Sequence, residues 1–157
     1  MTNIQITPIP TETARALRQG GPDANGLPAE RAISNGTGNP CRHCLTFIPE
    51  GEEMLILAHR PFDALQPYAE SGPIFLCAHD CEPWTDPGLP PVLRDGDEPR
   101  LVKGYSHDDR IVYGLGQIVA SASVGERART VLNDPRVAYV HVRSSTNNCF
   151  TCRIDKA

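Results

Sequence analysis

The 157 residues carry 15 Lys and Arg against 19 Asp and Glu, for a net charge of -4, with 39% hydrophobic and 22% charged residues. That hydrophobic content at so small a net charge speaks against a disordered chain, and an acidic balance without a clustered basic face speaks against nucleic acid as a partner. No apolar run approaches the roughly 18 residues of a membrane span, and the length suits a single domain over 1–157.

In chain order, Ile4-Gln5-Ile6 alternates and predicts a short strand, and Thr11 is placed as the N-cap of a helix over 12–19 that Gly20-Gly21 stops. Residues 21–40 are rich in Gly, Pro and Asn without periodicity and predict a long loop. A strand over 53–59 is apolar on both faces, as a central strand should be, and another follows over 73–79. Residues 82–99 hold Pro83, Pro87, Pro90, Pro91 and Pro99 and predict a second long loop, read either as a cover over a site or as a stiff surface connection. Trp84 within it reads as a loop anchor. Strands over 100–105 and 110–119 flank a turn at Ser106-His107-Asp108-Asp109, whose acids serve the turn's own backbone. Gly114-Leu115-Gly116 lacks the third glycine of a dinucleotide site and is assigned to a bulge.

Ser123 and Glu126 fit a capping box for a helix over 124–132, which buries Val124, Ala128, Val131 and Leu132 and stops at Asn133-Asp134-Pro135. A strand over 137–143 sets Ala138, Val140 and Val142 on one face and Tyr139, His141 and Arg143 on the other. A turn over 144–148 returns a last strand over 149–154. Strands outnumber helices and neighbours are hairpin-linked. The expected class is α+β, a mainly antiparallel sheet with two short helices and long Pro/Gly-rich loops.

The N-terminus lacks the basic start and apolar core of an export signal, so the expected address is the cytoplasm, where thiols stay reduced. The six cysteines nevertheless fall into three pairs: Cys41 with Cys44, Cys77 with Cys81, and Cys149 with Cys152. Paired thiols at short spacing point to a metal, and zinc is the expected one. Two CxxC pairs make the first choice of ligands Cys41, Cys44, Cys149 and Cys152, joining an N-terminal loop to the last hairpin. That choice requires Cys149 to belong to the turn, because strand residues three apart point to opposite faces. The second choice is Cys77, His79 and Cys81, which converge only if the chain turns at Asp80. His43, inside the first CxxC, is expected on the surface.

The competing reading is a thiol-dependent enzyme, with Cys149 as nucleophile beside His141 and Arg143, which share one strand face. Against it stands a plain amphipathic strand whose polar face is wet. The leading expectation is a small soluble protein with a structural zinc–thiolate site, acting as a binding or accessory module. Its partner is left open between a small molecule and a protein.

Five stretches resemble an uncharacterised bacterial family, catalogued as domain of unknown function 1203. They are Pro40-Cys41-Arg42-His43-Cys44-Leu45, Ser71-Gly72-Pro73-Ile74-Phe75, the run from Lys103 to Asp109, the run from Asp134 to Arg143, and Asn147-Asn148-Cys149-Phe150. The resemblance implies a small soluble bacterial protein. It brings no activity, cofactor or catalytic residue with it.

Overall fold

A computed structural model describes residues 2–157. The elements in order are β1 (Ile4–Thr7), α1 (Thr11–Arg18), β2 (Glu30–Ile33), β3 (Glu53–His59), β4 (Gly72–Cys77) and α2 (Pro91–Arg94). There follow β5 (Arg100–Tyr105), β6 (Gln117–Val119), α3 (Val124–Leu132), β7 (Tyr139–Ser144) and β8 (Phe150–Lys156). They form two sheets, a five-stranded one in the order β1-β8-β7-β5-β6 and a three-stranded one in the order β2-β3-β4. Every ladder between these strands is antiparallel, and the class is α+β as expected.

The first core lies between the five-stranded sheet and α3. Val124, Ala128, Val131 and Leu132 recur at helical spacing and meet Ile6, Val102, Val140, Val142 and Ile154 of the sheet. The second core joins Ala14 and Leu17 of α1 to Met54, Leu55, Leu57, Ile74 and Leu76 of the smaller sheet, with Cys41, Cys77 and Phe150. Phe150 belongs to β8 of the larger sheet, so it carries the second core across to the first layer. Strand β3 is central in its sheet, as its two apolar faces require.

Several local expectations change once the chain is folded. The predicted loop over 21–40 contains β2, whose side chains stay largely exposed; backbone pairing to β3 forms it, and no apolar pattern announces it. The second predicted loop contains a single turn of helix, α2, started by Pro91 and held by its buried Val92 and Leu93. Of the strand predicted over 110–119 only β6 forms, because the chain turns at Tyr113-Gly114, where Gly114 has φ 89°. That glycine serves a turn and not a bulge. The residue before α1 is Pro10, and the Thr11 hydroxyl goes elsewhere; Ser123 likewise makes no capping bond to α3. The turn at 106–109 closes as expected, with Asp109 in the left-handed region and its N–H donating to the Ser106 carbonyl.

Helix α3 packs closely on β5 at Gly104. A Cβ there would lie 2.8 Å from Val131 Cγ1 and 3.0 Å from Val137 Cγ2. Gly104→Ala is therefore expected to overpack the first core and lower stability by about 1–3 kcal/mol, read as a fall in the urea midpoint.

Candidate metal centre

Cys41 and Cys44 sit on a knuckle. The chain reverses between Pro40 and Phe47, Cys41 N–H donates to the Thr46 carbonyl at 2.9 Å, and Leu45 N–H returns to the Cys41 carbonyl at 2.9 Å. Closing so tight a turn puts Leu45 at φ 55°, a left-handed conformation uncommon for a branched residue, held by complete burial of its side chain. The knuckle then docks on β4, with Arg42 N–H donating to the Phe75 carbonyl. Cys77 is the last residue of β4, and the chain turns after it to bring Cys81 back.

The result is one group: the sulfurs of Cys41, Cys44, Cys77 and Cys81 all lie within 4.8 Å of one another. Two pairs, Cys41 with Cys81 and Cys44 with Cys77, stand at 3.9 Å. A tetrahedral ion with metal–sulfur bonds of about 2.3 Å needs sulfurs about 3.8 Å apart. The residues present fit such an ion.

Donors point at these sulfurs from three directions. Backbone N–H groups of Cys77 and His43 approach Cys41 Sγ at 3.3 and 3.5 Å. Arg18, in the last turn of α1, donates Nη2 to Cys81 Sγ at 3.1 Å and Nε to the Cys77 carbonyl at 2.9 Å. His43 Nδ1 lies 3.1 Å from Cys81 Sγ and its Nε2 lies 2.8 Å from the Thr11 hydroxyl. A neutral ring with the proton on Nδ1 satisfies both contacts, donating to sulfur and accepting from Thr11. Burial, with Arg18 close by, depresses the His43 pKa and keeps the ring neutral. Outer contacts of this kind orient ligands and spread thiolate charge. His43 is fully buried, contrary to the surface position expected of it.

Four thiols at this separation cannot all ionise alone. Hydrogen bonds from Cys44, Cys77 and Cys81 depress Cys41 strongly, while contact with Cys41 drives Cys77 and Cys81 upward. Cys41 opposes ionisation of Cys44, yet hydrogen bonds from Cys77 and Cys81 bring Cys44 down to about 6, so the protons held in place until a cation displaces them are those of Cys77 and Cys81. The cluster opens on one side to a groove of about 520 Å³ lined by Cys44, Cys77, Cys81, Glu52, His79 and Trp84.

The four sulfurs that meet are not the four chosen first from the sequence. Cys41 and Cys44 are joined by Cys77 and Cys81, and neither Cys149 nor Cys152 is in the group. Cys152 is buried in the first core, on the far face of β8, and Cys149 Sγ donates to the Asn147 carbonyl. The expected link from the knuckle to the last hairpin exists, but Arg42 makes it, donating Nε to the Phe150 carbonyl at 2.8 Å. Of the second set, Cys77 and Cys81 are in place, whereas His79 points outward toward Glu52, 3.8 Å away. The spacing C-x3-C at a strand end was the readable signal for the missing pair.

Of the nucleophile set, Arg143 and His141 meet, with Nη2 3.4 Å from Nδ1, but the Cys149 thiol turns to the Asn147 carbonyl instead. A bulge in β8 pairs Val142 with Cys152 but Arg143 with Phe150, leaving Thr151 as the extra residue. Phe150 therefore takes the place beside His141 and Arg143 that regular alternation would give Thr151 and Cys149, and its ring packs on both. The face of Tyr139, His141 and Arg143 is not wet: all three are buried between the sheets.

Burial, with Arg42 and Arg143 adding positive charge, pushes His59 down to about 4. Burial, with Arg143, Arg153, Lys103 and His59 nearby, holds His141 well below its ordinary value. Both rings are neutral in the folded protein at pH 7 but regain a pKa near 6.5 on unfolding, so acid favours the unfolded chain. Their contribution to stability is complete above about pH 6.5 and is lost as the pH falls toward 4. Urea midpoints measured across that window should drop, and His59→Phe should flatten the drop.

A family model described as protein of unknown function (DUF1203) matches residues 38–156. No curated protein and no solved structure matches the chain. The matched stretch contains all six cysteines, while β1 precedes it, as does α1, which supplies both Thr11 and Arg18. Since it runs from just before the knuckle to the end of β8, the chain belongs to the DUF1203 family.

Proposed function

We propose that Cys41, Cys44, Cys77 and Cys81 hold one structural zinc ion, and that the chain is a one-domain binding or accessory module of the cytoplasm built around it. The observation that carries this is the convergence of four sulfurs at tetrahedral spacing, each pair from a different segment, with N–H donors aimed at them. Four thiolates suit zinc or iron, and a set that fills all four positions leaves no site for a reacting water, which marks a structural ion. The knuckle, the end of β4 and α1 meet at this point. Metal bound there fastens α1 and the knuckle to β4.

The ligand pairs lie 33 to 40 residues apart in the chain. Closing a loop of that length removes about 4 kcal/mol of unfolded-state entropy for an ideal covalent link, and a tightly bound ion acts through the same cause. Protein purified without a histidine tag should contain close to one zinc per chain by elemental analysis. Cys81→Ser should lose the metal and melt clearly lower, while Cys149→Ser keeps the metal and shifts stability by less than about 0.5 kcal/mol. A chelator should lower the wild-type melting temperature and leave Cys81→Ser unmoved. Metal-free wild type with all thiols titratable would sink the centre.

A further inference from the structure

A cleft of about 690 Å³ lies between α1, β3 and β8, on the side of the molecule where the two sheets meet. Its volume is that of a small-molecule site, and its walls are mostly apolar, with Ile9, Leu57, Pro61, Phe62 and Phe150 among them. His141 lines its floor and is 1% exposed.

His141 and the polar groups packed behind it, which do not themselves line the cleft, are short of acceptors. Arg143 Nη2 lies 3.4 Å from His141 Nδ1. A guanidinium can only donate, so Nδ1 carries the lone pair and the proton sits on Nε2. That Nε2–H is buried and has no partner among the described residues; the Tyr105 hydroxyl and Arg143 Nε are buried and unpartnered as well. Direct carboxylate partners are lacking in the same sense, Glu70 acting on Arg143 only from a distance. Arg42 and Arg143 are buried, and their hydrogen bonds go to carbonyls and an imidazole; neither has a carboxylate within 4 Å among the described residues. Buried cations and donors left without acceptors are costly unless something else supplies the oxygen and the charge.

Three carboxylates, Asp23, Asp63 and Asp155, also line the cleft, against two guanidiniums, Arg60 and Arg153, which leaves the acids one ahead. Asp155 is paired with Arg153, and Asp23 accepts backbone N–H groups including that of Ala58. Their negative field opposes a phosphate dianion and tolerates a monoanion. We propose that this cleft binds a small monocarboxylic acid, its carboxylate directed to the His141 floor beneath which Arg42 and Arg143 lie, and its apolar body covered by Phe62, Leu57 and Ile9. This rests on the reading of the chain as a binding module but not on its metal.

The test uses full-length protein of measured zinc content and follows amide shifts by NMR and heat by calorimetry. The probes are sodium benzoate, sodium hexanoate, benzamide and inorganic phosphate. Benzoate or hexanoate should give saturable shifts at Phe62, Leu57 and His141 and bind at least tenfold tighter than benzamide or phosphate. His141→Phe, which keeps a packed ring and removes the donor, should weaken the acid at least tenfold. Ala16→Trp, on the exposed wall contributed by α1, should abolish binding without touching the core, and it decides the matter if His141→Phe fails to fold. Absence of saturation by either acid, equal binding of benzamide or phosphate, or unchanged binding by Ala16→Trp each overturns the proposal. If the acids fail on protein carrying one zinc per chain, the cleft alone is refuted. If they bind to protein that never holds zinc, the metal centre alone is refuted.

Discussion

Four thiols held within 4.8 Å of one another are a demanding arrangement, because Cys41 and Cys44 give up their protons at the expense of Cys77 and Cys81. Much of the smaller half of the molecule is arranged around that demand. The knuckle strains Leu45 to turn Cys41 and Cys44 inward, β4 ends on Cys77, and α1 reaches over with Arg18 and Thr11. Arg18 ties sulfur and backbone together, so the helix, the strand end and the cluster are one packed unit. The apolar second core lies directly beneath, with Cys41 and Cys77 counted among its members.

The larger sheet depends on a different device. Its strand β7 is buried on both faces, so a row of polar residues must be accommodated where an aliphatic row would be simpler. Rings do this. Phe62, Tyr105, Tyr139 and Phe150 surround His141, with ring centroids between 4.7 and 5.2 Å from it. The bulge at Thr151 makes this packing available, since it swings Phe150 onto the inner face and hands the Thr151 hydroxyl to Arg100. Arg42 then reaches across from the knuckle to the carbonyl of that same Phe150. The cysteine cluster and the polar layer are therefore joined through two adjacent residues, Cys41 and Arg42.

Strands with strong apolar character were readable from the chain. The central place of β3, the helix at 124–132 with its stop at Asn133-Asp134-Pro135, and the inward row of Val140 and Val142 all follow from periodicity and backbone chemistry that act within a few residues. Elements that owe their existence to a neighbour were not readable: β2 is an edge strand made by pairing, and α2 is a single turn held by two buried side chains.

The same division runs through the site. That the thiols of Cys41 and Cys44 converge was legible, because two residues three apart on a curled turn face one point whatever the rest of the chain does. Which pair completes the set could not be found that way. Cys149-x-x-Cys152 has the more familiar spacing, yet it falls on a bulged strand that sends Cys152 into the first core. Cys77 and Cys81 lack that spacing, but β4 runs beside the knuckle and ends at the right height, so its thiols arrive instead. Spacing along a chain measures what nearby residues can do together. Convergence of residues 33 to 40 positions apart is set by sheet register and strand ends, and these exist only once the layers have packed.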